Sequence, residues 1–188
     1  MPFTFQSLAI PDVKLITPRI FTDDRGSFLE AYKTSDFAAA GIPGLFSQDN
    51  QSVSRRGVLR GLHFQKPPHA QAKLVQALAG DIFDIVVDMR EGSPSFAKWL
   101  AVSLSADQPQ LLYVPAGFAH GFQVLSGQAA VLYKTSTEYR PDAEAGIVWN
   151  DPDLAIPWPL QPPVLSPKDH QLPRLKDAFP VGFPVKTG

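Results

Sequence analysis

Proline and glycine punctuate this sequence so densely that most of it cannot form long helices. Nineteen prolines and thirteen glycines cut the chain into short apolar runs recurring about every ten residues, the spacing of strands joined by turns. Candidate strands are Val13–Thr17, Ser27–Lys33, Leu45–Ser54, Leu59–Gln65, Lys73–Ala79, Asp81–Met89, Lys98–Ser105, Gln110–Val114, Gly121–Leu125 and Ala129–Tyr139, several with period-two alternation. Only Ser35–Ala40 and Leu172–Ala178 read as helical, the first with Thr34 or Ser35 as N-cap and Gly41 as stop. With 188 residues, 44% of them hydrophobic, the chain suits one all-β domain spanning 1–188. Many short antiparallel strands favour a closed barrel or double-sheet jelly roll, which removes most free strand edges. The proline-rich C-terminal third is expected to wrap the barrel surface.

Charge and cysteine content narrow the functional classes. Seventeen Lys and Arg against eighteen Asp and Glu leave a net charge of −1, which argues against a surface that attracts nucleic acid or anionic lipid as a whole. The absence of cysteine excludes a thiolate nucleophile and a disulfide framework, and fits a reducing, cytoplasmic compartment. No basic n-region followed by an apolar run opens the sequence, so no signal peptide is expected. The uncharged stretch Gln108–Tyr133 could be mistaken for a membrane span. It holds Pro109, Pro115, Gly117, Gly121, Gly127 and four glutamines, which would break and polarise a spanning helix.

One local asymmetry stands out. From Asn50 to Gly80 there is no Asp or Glu, yet Arg55, Arg56, Arg60, Lys66 and Lys73 are present with His63 and His69. A solvated basic face would explain a charge run alone. Arg60, His63 and Lys73, however, lie on or beside the apolar strands GVLRGLHFQ and KLVQALAG, where a buried unpaired cation is costly unless an anion binds it.

Three segments place titratable side chains inside apolar strand patterns: RRGVLRGLHFQKP (Arg55–Pro67), LLYVPAGFAHGFQVLS (Leu111–Ser126) and AVLYKTSTEY (Ala130–Tyr139). Singly, His63 or His120 could be a satisfied core histidine and Tyr133 a packed aromatic. Together with Arg60 and Lys73 they form a set that a barrel lumen would bring to one place, because inward-facing side chains from separate strands converge there.

The strings RGVLRGLHFQ, VPAGFAHGFQVLS, YKTSTEY, WNDPDLAIPWP and LSPKDHQLP, in that order, resemble the dTDP-4-dehydrorhamnose 3,5-epimerase family. The resemblance runs from FTDDRGSFLEAYK near the N-terminus to LSPKD near the end. It implies a cupin-type jelly-roll barrel with short peripheral helices, usually a homodimer. It also implies epimerisation of a thymidine diphosphate-linked 4-keto-6-deoxyhexose at C3 and C5. In the resemblance His63 is the base, Lys73 faces the sugar O4, Tyr133 is the acid and Asp169 supports His63. Arg60 and Lys168 match positions near the diphosphate, and His120 one near the sugar. Phe21, Arg25, Glu30, Gln48, Asp49, Asn50, Tyr139 and Glu144 match nucleotide-binding positions, some acting across the dimer. Some of these have ordinary structural explanations: Asp24–Arg25–Gly26 could be a turn, and Asp49–Asn50 a strand bend.

Cupin barrels often hold a metal, which requires counting ligands. Pro115, Gly117 and His120 resemble the second cupin metal motif, but the first motif's His-x-His and Glu are missing, since His63 is followed by Phe64 and Gln65. Too few ligands remain for a first-row metal, so no metal and no cofactor are expected. Inversion beside a ketone can proceed without one: a base removes the α-proton, a cation or donor holds the enolate, and an acid reprotonates the other face. A neutral imidazole suits the base and a phenol, protonated at neutral pH, suits the acid. Two carboxylates compete for the His63 ring: Asp169, and Asp84 in the apolar strand DIFDIVVDM, which could instead partner Lys73. A related enzyme that inverts one centre, or a non-catalytic binding module on the same scaffold, are the rival functions.

Overall fold

The computed structural model describes residues 2–42 and 44–178. Thirteen strands are present among them: β1 (Phe3–Ser7), β2 (Lys14–Pro18), β3 (Ile20–Asp23), β4 (Gly26–Leu29), β5 (Gln48–Arg55), β6 (Leu59–Gln65), β7 (Lys73–Ala79), β8 (Asp81–Asp88), β9 (Trp99–Ser105), β10 (Leu111–Val114), β11 (Phe118–Val124), β12 (Gln128–Thr135) and β13 (Glu144–Gly146). They form a six-stranded sheet in the order β1-β2-β10-β7-β12-β5 and a five-stranded sheet in the order β13-β6-β11-β8-β9, with the β3–β4 hairpin separate. All named pairings are antiparallel. The sheets face each other as a jelly-roll barrel, the expected all-β architecture.

Alternation along the strands builds the interior. Val75 and Ala77 of β7, Val131 of β12, Ile82 and Val86 of β8 and Phe122 and Val124 of β11 meet in one buried cluster between the sheets. A second cluster lies where the segment after β13 returns over the five-stranded sheet, with Ile147, Leu154, Ile156, Trp158 and Leu175 packing on Leu59, Leu62, Ile85 and Val87. Asp151 pins that segment: its carboxylate accepts from the backbone N–H of Asp153, Leu154 and Leu175. This is the wrapping expected of the proline-rich third, as far as Ala178; residues 179–188 lie outside the described residues.

The third cluster explains helix α1 (Thr34–Ala39), a six-residue helix too short to stand alone. It forms because Phe37, fully buried, meets Phe3, Ile16, Leu74 and Leu111 on the outer face of the six-stranded sheet. Burying one such ring is worth about 1.5–3 kcal/mol. Its N-cap is Lys33, with no side-chain cap, rather than Thr34 or Ser35, because Thr34 already lies within the first turn. Gly41, at φ +78°, ends it as expected.

Other elements depart from the sequence pattern. β1, β3 and β13 were not anticipated. The candidates Ser27–Lys33, Leu45–Ser54 and Ala129–Tyr139 are each trimmed where pairing stops, and Leu45 is 81% exposed. Leu172–Ala178 shrinks to the single turn α2 (Leu175–Ala178), preceded by a 3-10 turn at Asp169–Gln171. Pro173, which has no N–H to give, sits between the two turns.

Candidate active site

One irregularity in β6 decides which side chains enter the barrel. His63 pairs with His120 and Arg60 with Phe122, so three steps on β6 match two on β11: the strand bulges at Gly61–Leu62. In an unbroken strand, Arg60 and His63 would point to opposite faces. The bulge resets the alternation, and both line one cavity of about 270 Å3 with Lys73, His120, Phe122, Tyr133, Ser166, Lys168 and Asp169. Glycine is required here. Gly61 sits at φ +128°, and a Cβ on it would lie 2.5 Å from the Gly121 Cα.

The opposite wall comes from the six-stranded sheet. Lys73 pairs with Thr135 and Tyr133 with both Val75 and Asn50, so Lys73, Tyr133, Thr135, Asn50 and Gln48 share the inward face. They line a second cavity of about 270 Å3 with Gln65, Gln71, Tyr139 and Glu144, and the two cavities share His63, Lys73 and Tyr133. A larger cavity of about 1030 Å3 adjoins the second through Phe64, Gln65 and Glu144 of the five-stranded sheet, but none of His63, Lys73, His120 or Tyr133 lines it.

The open choice between two carboxylates resolves cleanly. His63 Nε2 lies 2.5 Å from Asp169 Oδ1, and His120 Nε2 lies 3.0 Å from Asp84 Oδ2. Asp169 therefore serves His63, and Asp84 serves His120. Burial would raise the Asp169 carboxyl, but its bonds from His63 and Ser166 outweigh that and hold it below the ordinary value. It is ionised at neutral pH, so a neutral His63 carries its proton on Nε2, toward the carboxylate, and keeps a free lone pair on Nδ1. Asp84, wholly buried, is pushed upward by burial against the opposing pull of His120 and Lys73, and its Oδ1 has no hydrogen-bond partner among the described residues.

Lys73 is the buried cation of the basic segment, at 8% exposure, and its ammonium donates to the His63 carbonyl at 3.2 Å. Burial pulls its pKa down to about 8 against Asp84 and Glu144. Arg55, Arg56, Arg60 and Lys66 are exposed, so the expected cost of burying Arg60 does not arise; its guanidinium sits at the cavity rim with Nε donating to Ser54 Oγ. Burial pushes the Tyr133 phenol up, with Arg60 opposing, which keeps it protonated at neutral pH.

Of the remaining candidates, Glu144 joins the cleft by accepting from Tyr139 and pairing with Lys168. Burial works against both charges, yet the pairing holds Glu144 below and Lys168 above their ordinary values. Gln48 reaches Asn50 and the Tyr139 N–H. Asp49 does not join them: alternation turns it outward, where it pairs with Lys134. Phe21 and Arg25 lie on the exposed β3–β4 hairpin, Arg25 paired to Asp23, and neither they nor Glu30 line the cleft of this chain. Ser166 was missed by sequence reading, although S-x-x-D has the spacing of a reciprocal capping pair. Among the described residues no three His, Asp or Glu side chains are grouped to hold a metal.

A barrel cleft with a carboxylate-backed imidazole on one sheet and a phenol and buried ammonium on the other is equipped for proton transfer beside a carbonyl. Comparison with known proteins agrees. The family model for dTDP-4-dehydrorhamnose 3,5-epimerase matches residues 7–177. The dTDP-4-dehydrorhamnose 3,5-epimerase of Pseudomonas aeruginosa is 54% identical over 173 residues, covering 91% of this chain and 95% of its own. The crystal structure of the Elizabethkingia anophelis dTDP-4-dehydrorhamnose 3,5-epimerase superposes with a TM-score of 0.91 at 43% identity, covering 94% of this chain and 98% of that one. A dTDP-6-deoxy-D-glucose-3,5-epimerase from Legionella pneumophila, solved in complex with dTDP-4-keto-L-rhamnose, gives 0.89 at 44% identity, covering 93% of each chain. With the matched model spanning nearly all of the barrel and its cleft, the chain belongs to the dTDP-4-dehydrorhamnose 3,5-epimerase family.

Proposed function

We propose that this chain epimerises C3 and C5 of dTDP-4-dehydro-6-deoxy-D-glucose to give dTDP-4-dehydro-L-rhamnose, without a metal or other cofactor. The observation that carries the reading is the His63–Asp169 pair on one wall of the cleft with protonated Tyr133 on the other. His63 takes the proton α to the C4 ketone, and Asp169 stabilises the imidazolium that results. The electrons of the broken C–H bond pass to O4, where the Lys73 ammonium stabilises the enolate charge as it develops. Tyr133 returns a proton to carbon from the opposite face as the C4 ketone reforms, closing one inversion; proton exchange with solvent then restores neutral His63 and the Tyr133 phenol, and the same sequence at the other carbon closes the second. His120, oriented by Asp84, contacts the sugar.

Arg60 and Lys168 at the rim hold the diphosphate, a task suited to charge-assisted bonds. Gln48, Asn50, Tyr139 and Glu144 extend the cleft toward the nucleoside. The exposed aromatic pair Phe21 and Phe28, at 45% and 66% exposure, marks the β3–β4 hairpin as a surface for a second copy of the chain, delivering Phe21, Arg25 and Glu30 to the partner's cleft, with Asp49 also outside its own. The working unit is then a cytoplasmic homodimer with no nucleic-acid or membrane partner. Light scattering should give twice the 20.5 kDa chain mass, and a monomer at micromolar concentration would remove the trans contacts. The activity itself is tested by proton NMR of the product formed from dTDP-4-dehydro-6-deoxy-D-glucose: coupling constants of the L-rhamno configuration support it. Inversion at one centre alone would place the chain with the mono-epimerases, and no conversion would leave a binding module.

A further inference from the structure

The Asp169 carboxylate sits on the 3-10 turn at Asp169–Gln171, not on a barrel strand, so the pairing of its Oδ1 with His63 depends on how that turn is held. Ser166 holds it twice. The Asp169 backbone N–H donates to Ser166 Oγ at 3.1 Å, and the same hydroxyl donates to Asp169 Oδ2 at 2.8 Å. The first bond occupies the oxygen lone pair that faces the turn, which leaves the hydroxyl proton directed at Oδ2. With Oδ2 occupied, the carboxylate cannot rotate about its own axis without breaking a bond, and Oδ1 stays aimed at Nε2 of His63. Two further contacts fix the turn: the His170 N–H donates to the Ser166 carbonyl at 3.2 Å, and Lys168 pairs with Glu144 of β13. Asp169 is only 3% exposed, so bulk water has little access to replace a lost hydroxyl.

We propose that Ser166 is a positioning residue for the base: its hydroxyl fixes the rotation of the Asp169 carboxylate and thereby the orientation of the His63 imidazole. The effect on turnover rests on the function proposed above; the effect on the histidine does not. Ser166 itself touches no reacting atom in this scheme and acts only through Asp169.

A merely structural serine and a positioning serine leave different signatures. Ser166→Ala should lower kcat about tenfold with KM changed less than twofold, and isotope exchange at C3 and C5 should fall in parallel, because one base serves both carbons. Ser166→Thr keeps the hydroxyl and should restore most of the rate. In a double-mutant cycle, Ser166→Ala should cost almost nothing once Asp169 is already Asn, since its route to His63 is gone. Independently of substrate, the nitrogen-15 and downfield proton NMR signals of the His63 ring should move in Ser166→Ala and return in Ser166→Thr, with the thermal midpoint little altered. Failure of the function reading would appear as a wild-type protein without turnover, while the histidine signals would still respond to Ser166. The proposal is overturned if the His63 signals of Ser166→Ala match wild type, or if the losses from Ser166→Ala and Asp169→Asn simply add.

Discussion

His63 and His120 are direct cross-strand partners on β6 and β11, yet each gives its Nε2 to a different carboxylate. The carboxylate of His63 arrives from the C-terminal segment, 106 residues away in sequence, and that of His120 from the neighbouring strand β8. Two imidazoles on the same wall are thereby given separate supports. Only the His63 imidazole is partly open to the cleft, its side chain 28% exposed against 6% for His120, while both carboxylates are buried.

That separation predicts unequal responses to two isosteric changes. Asp169→Asn should depress deuterium exchange at the sugar carbons by about 10²–10⁴-fold, the usual worth of an acid–base group. Asp84→Asn, which leaves the His63–Asp169 pair in place, should depress exchange far less and weaken sugar binding instead. Equal losses of exchange in the two variants, followed by NMR, would mean that the two dyads do not have separate roles.

Lys73 predicts a pH limit. Its pKa is drawn down to about 8 by burial, so the ammonium is present below that value and lost above it, and kcat should fall as pH rises through about 8. For stability the sign is opposite to that of a favourable ion pair. The unfolded chain keeps the lysine proton up to its ordinary value, so burying the charge costs stability at neutral pH, and that cost is relieved as pH rises between the two values. Lys73→Met should therefore lose turnover while gaining about 1–3 kcal/mol at pH 7, read from urea midpoints; a destabilised Lys73→Met would show that the buried charge is fully compensated.

Arg60 predicts a binding effect of bounded size. Removing a charge-assisted phosphate contact costs roughly 1.5–3 kcal/mol, or about ten- to a hundredfold in affinity. Because Arg60 is exposed at the rim and its Nε meets only Ser54 among the described residues, Arg60→Ala should fold normally. Calorimetry with dTDP should show the loss, and unchanged affinity would remove Arg60 from the phosphate site.

The residue types of the cleft were legible because they interrupt apolar strand patterns: a histidine in LRGLHFQ, a lysine opening KLVQALA, a tyrosine in QAAVLYKT. Their convergence was less so. Strict alternation sends Arg60 and His63 to opposite faces, and only the bulge at Gly61–Leu62, set by tertiary pairing with β11, returns both to the lumen. The choice between Asp169 and Asp84 was equally invisible, since it depends on where a turn 106 residues from His63 comes to rest. β13 escaped notice because the segment EAG has little strand preference and is held by pairing with β6 alone. Thr34 and Ser35 offered good capping chemistry, but the packing of Phe37 set the helix start one residue earlier.

The central claim is that one group removes protons and a different group returns them. It is tested most directly by following C3 and C5 of dTDP-4-dehydro-6-deoxy-D-glucose by proton NMR in deuterium oxide, with wild type, His63→Ala and Tyr133→Phe side by side. Wild type should exchange and invert both centres. His63→Ala should do neither, because no other group is proposed to take either proton. Tyr133→Phe keeps His63, Lys73 and the cleft shape, so exchange should continue while the barrier to inversion at C3 and C5 rises by roughly 3–5 kcal/mol, and exchange outruns inversion. Equal loss of exchange and inversion in both variants would contradict the account, since Tyr133 would then not be a separate acid.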